Sequence, residues 1–372
     1  MWIDGHLDLA YLALCGRDLR VACPDPETGC VSLAALREAG IDIAFATIFA
    51  EPGRSPHEHP AAYPSSDDLD AAEAAGWRQI DIYRQLEAQG ELAIVRDAGD
   101  LRRDTPLPGI VILMEGADPI RAPEAVPRWF EAGLRMVGLT WARGTRYAGG
   151  NARPGPLTEL GRDLVAAMDE EGIVHDASHL ADEALDGLLE TARGRIVATH
   201  SNCRAIAGDD QRHLRDDQIK AIGERDGVVG LNLYSRFLVT SGRATIGDCV
   251  KHVEHVAGVM GHRRGVALGS DADGGFGPDR LPEHLDHPTK FPALAAALRD
   301  AGWSDEDVEG FCYGNWRRVL EETLPKEGTR DEGRGTRDEA RSRDGGRGTR
   351  DEGRGTSPAK ENPALKTDHR HR

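Results

Sequence analysis

The feature that most restricts this chain is a repeated alternation of short apolar, β-branched runs with longer stretches of helix-like spacing. The runs fall at 3–9, 41–49, 110–115, 134–140, 173–178, 196–199, 227–233 and 266–269. Candidate helices occupy 67–89, 122–132, 158–171, 181–192, 216–225 and 245–260, and two more at 291–301 and 306–324 close the pattern. Asp67, Thr158 and Asp216 supply helix starts. Strand-then-helix repeats call for a parallel sheet covered by helices. Eight of them in about 320 residues predict an α/β protein of the (β/α)8 TIM-barrel type. A doubly wound sheet is the competing arrangement, but no Gly-x-Gly-x-x-Gly follows any of the runs.

The pattern stops at Pro325. Beyond it, Gly-Thr-Arg-Asp-Glu-Gly-Arg at 328–334 recurs at 335–341, with Ala340 for Gly, and again at 348–354. Such copies hold no apolar residue to bury and cannot offset their ordering entropy. The expected organisation is a folded body over 1–325 and a low-complexity disordered tail over 326–372. The tail carries 13 basic and 10 acidic residues, a charge of +3, so the body over 1–325 carries −20 of the chain's net −17. That acidity argues against a nucleic-acid backbone as partner. No apolar stretch approaches the roughly 20 residues of a membrane span. The opening Met1-Trp-Ile-Asp-Gly-His6 lacks a basic start, an apolar run and a cleavage site, so the expected place is the cytoplasm. Six cysteines without a C-x-x-C spacing read as reduced thiols.

In a barrel of this type, chemistry sits where the strands end. Here those ends are rich in metal-ligating side chains. His6 and Asp8 lie two apart on the first run, a spacing that sends both to one side of a strand. Glu115 ends the apolar run Ile110-Val-Ile-Leu-Met, where a buried carboxylate needs a partner or a metal. His179 and His200 end the fifth and sixth runs, and Asp271 closes the eighth. Each alone has an ordinary reading as a core histidine, a turn aspartate or a chance pair. Six together at predicted strand ends do not. Three imidazoles and two carboxylates suit Zn²⁺ ahead of Mn²⁺, Fe²⁺ or Co²⁺. Five donors exceed the needs of one open site, so two ions bridged by Glu115 are expected, with Asp271 left to handle protons.

These motifs resemble the renal, or membrane, dipeptidase family of the amidohydrolase superfamily. The matching stretches are Asp4-Gly-His-Leu-Asp8, Met114-Glu-Gly-Ala-Asp-Pro-Ile120, Leu139-Thr140, Asp176-Ala-Ser-His179, Thr199-His-Ser-Asn202, Gly269-Ser-Asp-Ala-Asp-Gly274 and Gly314-Asn315. They run in the family's order across the whole body. The resemblance implies a metal-dependent hydrolase barrel with two zinc ions, His6, Asp8 and Glu115 on one and Glu115, His179 and His200 on the other. It implies cleavage of a dipeptide's amide bond by a metal-bridging hydroxide, with Asp271 passing the proton to the leaving amine. Arg212, after a one-residue shift, aligns with the arginine that grips the substrate carboxylate, and Tyr234 is expected in the same pocket. A homodimer is implied as well.

One position departs from the pattern. Trp141 stands where mammalian-type members carry a histidine after Leu-Thr, and tryptophan can donate a hydrogen bond but cannot become a cation. The competing reading is therefore an amidohydrolase of the same fold acting on N-acyl amino acids, lactones or related amides. A non-catalytic metal-binding scaffold is the third, and it is disfavoured because every ligand position is filled.

Overall fold

The structure is a computed structural model, and it describes residues 1–327 apart from 24, 54–58 and 103–104. The expectation of a disordered tail concerns residues that, from 328 onward, lie outside the described ones.

All eight apolar runs form strands: β1 Trp2–Leu7, β2 Ile41–Phe49, β3 Gly109–Glu115, β4 Leu134–Gly138, β5 Val174–Asp176, β6 Ile196–Val197, β7 Val229–Leu231 and β8 Val266–Leu268. β1 to β6 pair in parallel in chain order, and β7 pairs β8 in parallel. A bridge between Ala198 and Val229 joins the two sheets, with Gly230 N donating to Ala198 O at 2.7 Å. The circle closes through Asp271 N on His6 O (3.2 Å) and Ser270 N on Asp4 Oδ1 (2.8 Å). The architecture is a TIM barrel.

Several strands are shorter than their apolar runs. The runs at 134–140, 173–178 and 227–233 each lose their final residues to turns, and those turns carry the polar side chains of the site. The stretch 306–324 is not one helix. It breaks into Asp305–Glu309, a wide π turn over Gly310–Gly314 and a helix Asn315–Thr323. Asn315 Nδ2 donates to Val266 O (2.7 Å) and Arg263 O (3.0 Å), which holds the break in register with β8. The short helix Leu33–Ala39 is additional to the expected set; Ser32 caps its start and Gly40, in the left-handed region, ends it. So is an antiparallel hairpin of Ala148–Gly150 with Arg153–Leu157.

The core has two layers set by strand alternation. Ile3, Ile43, Phe45, Val111, Leu113, Met136, Val174 and Val197 fill the lumen, whereas Ala44, Ile48, Ile110, Ile112 and Val137 face outward to the helices. Trp316 plugs the lumen. Its ring stands against Phe45 with centroids 4.9 Å apart, and its Nε1 donates to Leu268 O at 2.7 Å. Arg317 and Arg318 on the same helix bond Leu101 O, Asp226 O and Arg264 O, so the helix seals the mouth where strands begin. The opposite mouth is left for chemistry.

Where strands are shortest, glycine lets them approach. A Cβ on Gly230 or Gly269 would lie 1.9 or 1.8 Å from Thr199 O. Gly269→Ala is expected to cost roughly 3 kcal/mol or more in urea unfolding; a midpoint equal to that of the parent would show that the barrel does not need this contact.

Candidate metal centre

The open mouth gathers the ligand-type side chains. His6 is the penultimate residue of β1 and Asp8 follows that strand. Glu115 ends β3; His179, His200 and Asp271 lie three residues past β5, β6 and β8. All six are buried. His6 Nε2 stands 3.7 Å from both Asp8 Oδ1 and Glu115 Oε2. Glu115 Oε1 lies 3.0 Å from His179 Nε2 and 3.5 Å from His200 Nε2. His6, Glu115 and His200 offer atoms within 4.8 Å of one another, as do His6, Asp8 and Asp271.

Backbone strain accompanies two of these positions. His179 and Asp271 adopt φ of 66° and 57°, a region that costs a non-glycine residue energy and persists only when its surroundings enforce it. The Asp271 turn is held by Asp273, itself at φ 60°, whose carboxylate accepts from Val31 N (2.8 Å), Cys30 N (2.9 Å) and Arg17 Nη1 (2.6 Å).

Outer contacts fix the imidazole tautomers. Asn151 Oδ1 faces His179 Nδ1 at 3.1 Å, and a carbonyl oxygen can only accept. Thr199 Oγ1 donates its proton to Asp176 Oδ2 (2.6 Å), so toward His200 Nδ1 (2.9 Å) it too accepts. Both Nδ1 atoms carry hydrogen, and in the neutral rings both Nε2 atoms present lone pairs. Burial holds His179 and His200 well below the usual imidazole range, with Arg212 adding for His179 and His6 for His200. Burial, then Arg212, pushes His6 down to about 3. The rings are therefore neutral near pH 7.

The two Nε2 atoms lie 3.0 Å apart and converge on Glu115 Oε1. Three acceptors facing one another repel. A proton on Glu115 would satisfy one contact and not the rest, whereas a cation among them satisfies all. The donor set, nitrogen and oxygen without sulfur, fits a zinc-type ion. The acids show the same strain: burial first, then Asp8 and Asp271, raises Glu115 well above the ordinary carboxyl range. Burial raises Asp8 to about 6, and burial followed by Asp8 raises Asp271 to about 8.

A cavity of about 390 Å³ opens onto Asp8, Glu115, His179 and Asp271. Trp141 lines it edge-on to Phe49, with centroids 5.2 Å apart. Across from them Tyr234 stacks on Phe276 at 4.4 Å. Arg212 does not line the cavity. Its two Nη atoms donate to His200 O (2.7 Å) and Ser201 Oγ (3.0 Å), which ties it to the β6 turn, and its Nε has no hydrogen-bond partner among the described residues. Its charge still reaches the site, opposing the upward shifts of Glu115 and Asp271.

Sequence reasoning assigned no role to the supporting residues. Asp4 accepts from Ser270 N and His6 N, tying β1 to β8 beneath the ligands. Asn232 Nδ2 donates to Asp271 Oδ2 at 2.9 Å. Thr199 and Asp176 lay inside the quoted motifs beside His200 and His179, a readable signal; Asn151, in a hairpin turn, carried none.

A TIM barrel whose strand C-termini converge buried imidazoles and carboxylates defines a metal-dependent hydrolase of the amidohydrolase type. The sequence profile of the membrane dipeptidases, peptidase family M19, matches residues 1–330, and the chain belongs to that family. A protein of Klebsiella pneumoniae described only as uncharacterized, in the pqqA 5′ region, is 31% identical over 262 residues, covering 66% of this chain and 94% of that one. Dipeptidase aclJ of Aspergillus oryzae is 28% identical over 305 residues, 78% of this chain and 69% of its own. The crystal structure of a Rhodobacter sphaeroides metallopeptidase liganded with a phosphinate mimic of L-Ala-D-Ala superposes with a TM-score of 0.74 at 28% identity, covering 87% of this chain and 99% of that one. Among the described residues no helix is long and apolar enough to cross a membrane.

Replacing Thr199 by Val keeps shape but removes the acceptor for His200 Nδ1. Metal retention against a chelator is expected to weaken roughly 10–100-fold, measured by metal content after graded dialysis; unchanged retention would show that the tautomer is fixed by other means.

Proposed function

We propose that the chain is a dinuclear zinc dipeptidase. The observation that carries this reading is the convergence of His6, Asp8, Glu115, His179 and His200 at one mouth of the barrel, with unprotonated Nε2 atoms of His179 and His200 facing a shared carboxylate. His6, Asp8 and Glu115 would hold one ion and Glu115, His179 and His200 the other, with Glu115 common to both. When bound, such a pair lowers the pKa of a water held between the ions, giving a hydroxide nucleophile, and polarises the amide carbonyl.

The chain's own groups supply the rest. Asp271, aimed by Asn232, takes the proton released in attack and returns it to the leaving amine. Arg212 contributes a buried positive charge behind the β6 turn, and its unused Nε supports its assignment to the substrate carboxylate. Trp141 and Tyr234 wall the cavity and exclude water from the reacting bond. The substrate class takes support from the phosphinate dipeptide mimic in the Rhodobacter structure. The reading takes a homodimer as its setting on the sequence resemblance alone, and keeps the cytoplasm and the lack of a nucleic-acid partner from the sequence's own features.

Two experiments test this. A panel of dipeptides, N-acyl amino acids and lactones is offered to the zinc-loaded chain, with and without chelator. Dipeptide turnover that is lost with chelator and restored by zinc is expected; turnover confined to the other classes would assign the chain to the related amidohydrolase that Trp141 favours. Asp271→Asn is expected to lower kcat by roughly 10²–10⁴-fold while metal analysis still finds two zinc ions per chain. Undiminished turnover would remove Asp271 from proton transfer.

A further inference from the structure

One acid in the cavity belongs to neither group of clustered metal-ligating atoms. Glu51 follows β2, where the short strand Glu51–Pro52 pairs with Ala62–Tyr63. Its side chain is 4% exposed and lines the cavity beside Phe49 and Trp141. Its Oε1 makes no hydrogen bond among the described residues. Among the described residues the cation beside it is Arg143, whose Nη1 stands 3.2 Å away without hydrogen-bond alignment and whose side chain is 52% exposed.

A buried carboxylate without a full partner is costly, and its balance is restored by a cation that brings its own donors. Arg143 is half in water and can withdraw from Oε1 at little cost. Among the described residues the remaining acids of the cavity, Asp8, Glu115 and Asp271, face the histidine cluster. We infer that Glu51 is a specificity-determining carboxylate that receives a substrate ammonium group, displacing Arg143 from its oxygen. The inference rests on the dipeptidase reading and deepens it. A dipeptide offers this chemistry from two sources, its α-ammonium and a lysine-type side chain.

Calorimetry on the zinc-loaded full chain tests it, with n-pentylammonium as the side-chain probe, alaninamide as the α-ammonium probe and 1-pentanol as the neutral control. Glu51→Gln is expected to bind the preferred ammonium probe about tenfold more weakly, the size of one charged hydrogen bond, with pentanol unaltered. Arg143→Gln removes the competitor and is expected to bind the same probe more tightly. A purely structural Glu51–Arg143 pair would weaken binding in both variants. That result, an equal loss of pentanol in Glu51→Gln, no effect of Glu51→Gln, or no ammonium binding by the parent chain would overturn the inference. Parallel assays of dipeptide hydrolysis keep the two readings apart: ammonium binding through Glu51 without hydrolysis strikes the reaction, and hydrolysis without a Glu51 effect strikes this site.

Discussion

Lone pairs directed at lone pairs are the constraint around which this molecule is arranged. His179 and His200 turn unprotonated nitrogens toward each other and toward Glu115 in a buried setting. Such crowding is unfavourable for protein atoms alone. It is sustained because Asn151, Thr199 and Asp176 fix the far side of each ring and because the strands bring the groups in from different parts of the sheet. A divalent ion reverses the sign of every one of these contacts. The same arrangement that penalises the protein alone is what prepares it for metal.

The barrel supplies the rigidity. Its lumen is packed with apolar side chains and sealed at one end by Trp316. At the other end the strands stop early, and turns with left-handed residues at His179 and Asp271 direct side chains inward. Asp273 braces the second of these turns from the Arg17–Val31 loop. Strain is concentrated where ligands are presented and absorbed by a network of charged and backbone hydrogen bonds one layer out.

Much of this was legible in the sequence, for physical reasons. Buried parallel strands read as continuous apolar runs, and all eight runs are strands. A histidine or carboxylate ending such a run has few unremarkable explanations, which is why His6, Asp8, Glu115, His179, His200 and Asp271 could be singled out and are found together at one mouth. The rest depends on contacts distant in the chain. Nothing near Asn151 signals that it faces His179, because a hairpin folded over the mouth makes that contact. Arg212 could be picked out by its place in the chain, but not the bonds of its Nη atoms to His200 O and Ser201 Oγ, which depend on the β6 turn folding over it. Glu51 carries no motif at all; only the cavity reveals it. The break at Gly310–Gly314 was not foreseen because a π turn needs no proline to mark it, although it shifts the face that Trp316 presents.

The closure between β8 and β1 rests on few hydrogen bonds, among them those of Asp271 N and Ser270 N. His6 stands on one side of that join and Asp271 on the other, and Asp8 is shared by their cluster. An ion held by His6, Asp8 and Glu115 would tie the first strand to the third beside that join, so that occupancy would feed into the free energy of folding. Loss of metal in this architecture would then be a mechanical event as well as a catalytic one, freeing the first strand beside the line where the cylinder's ends meet.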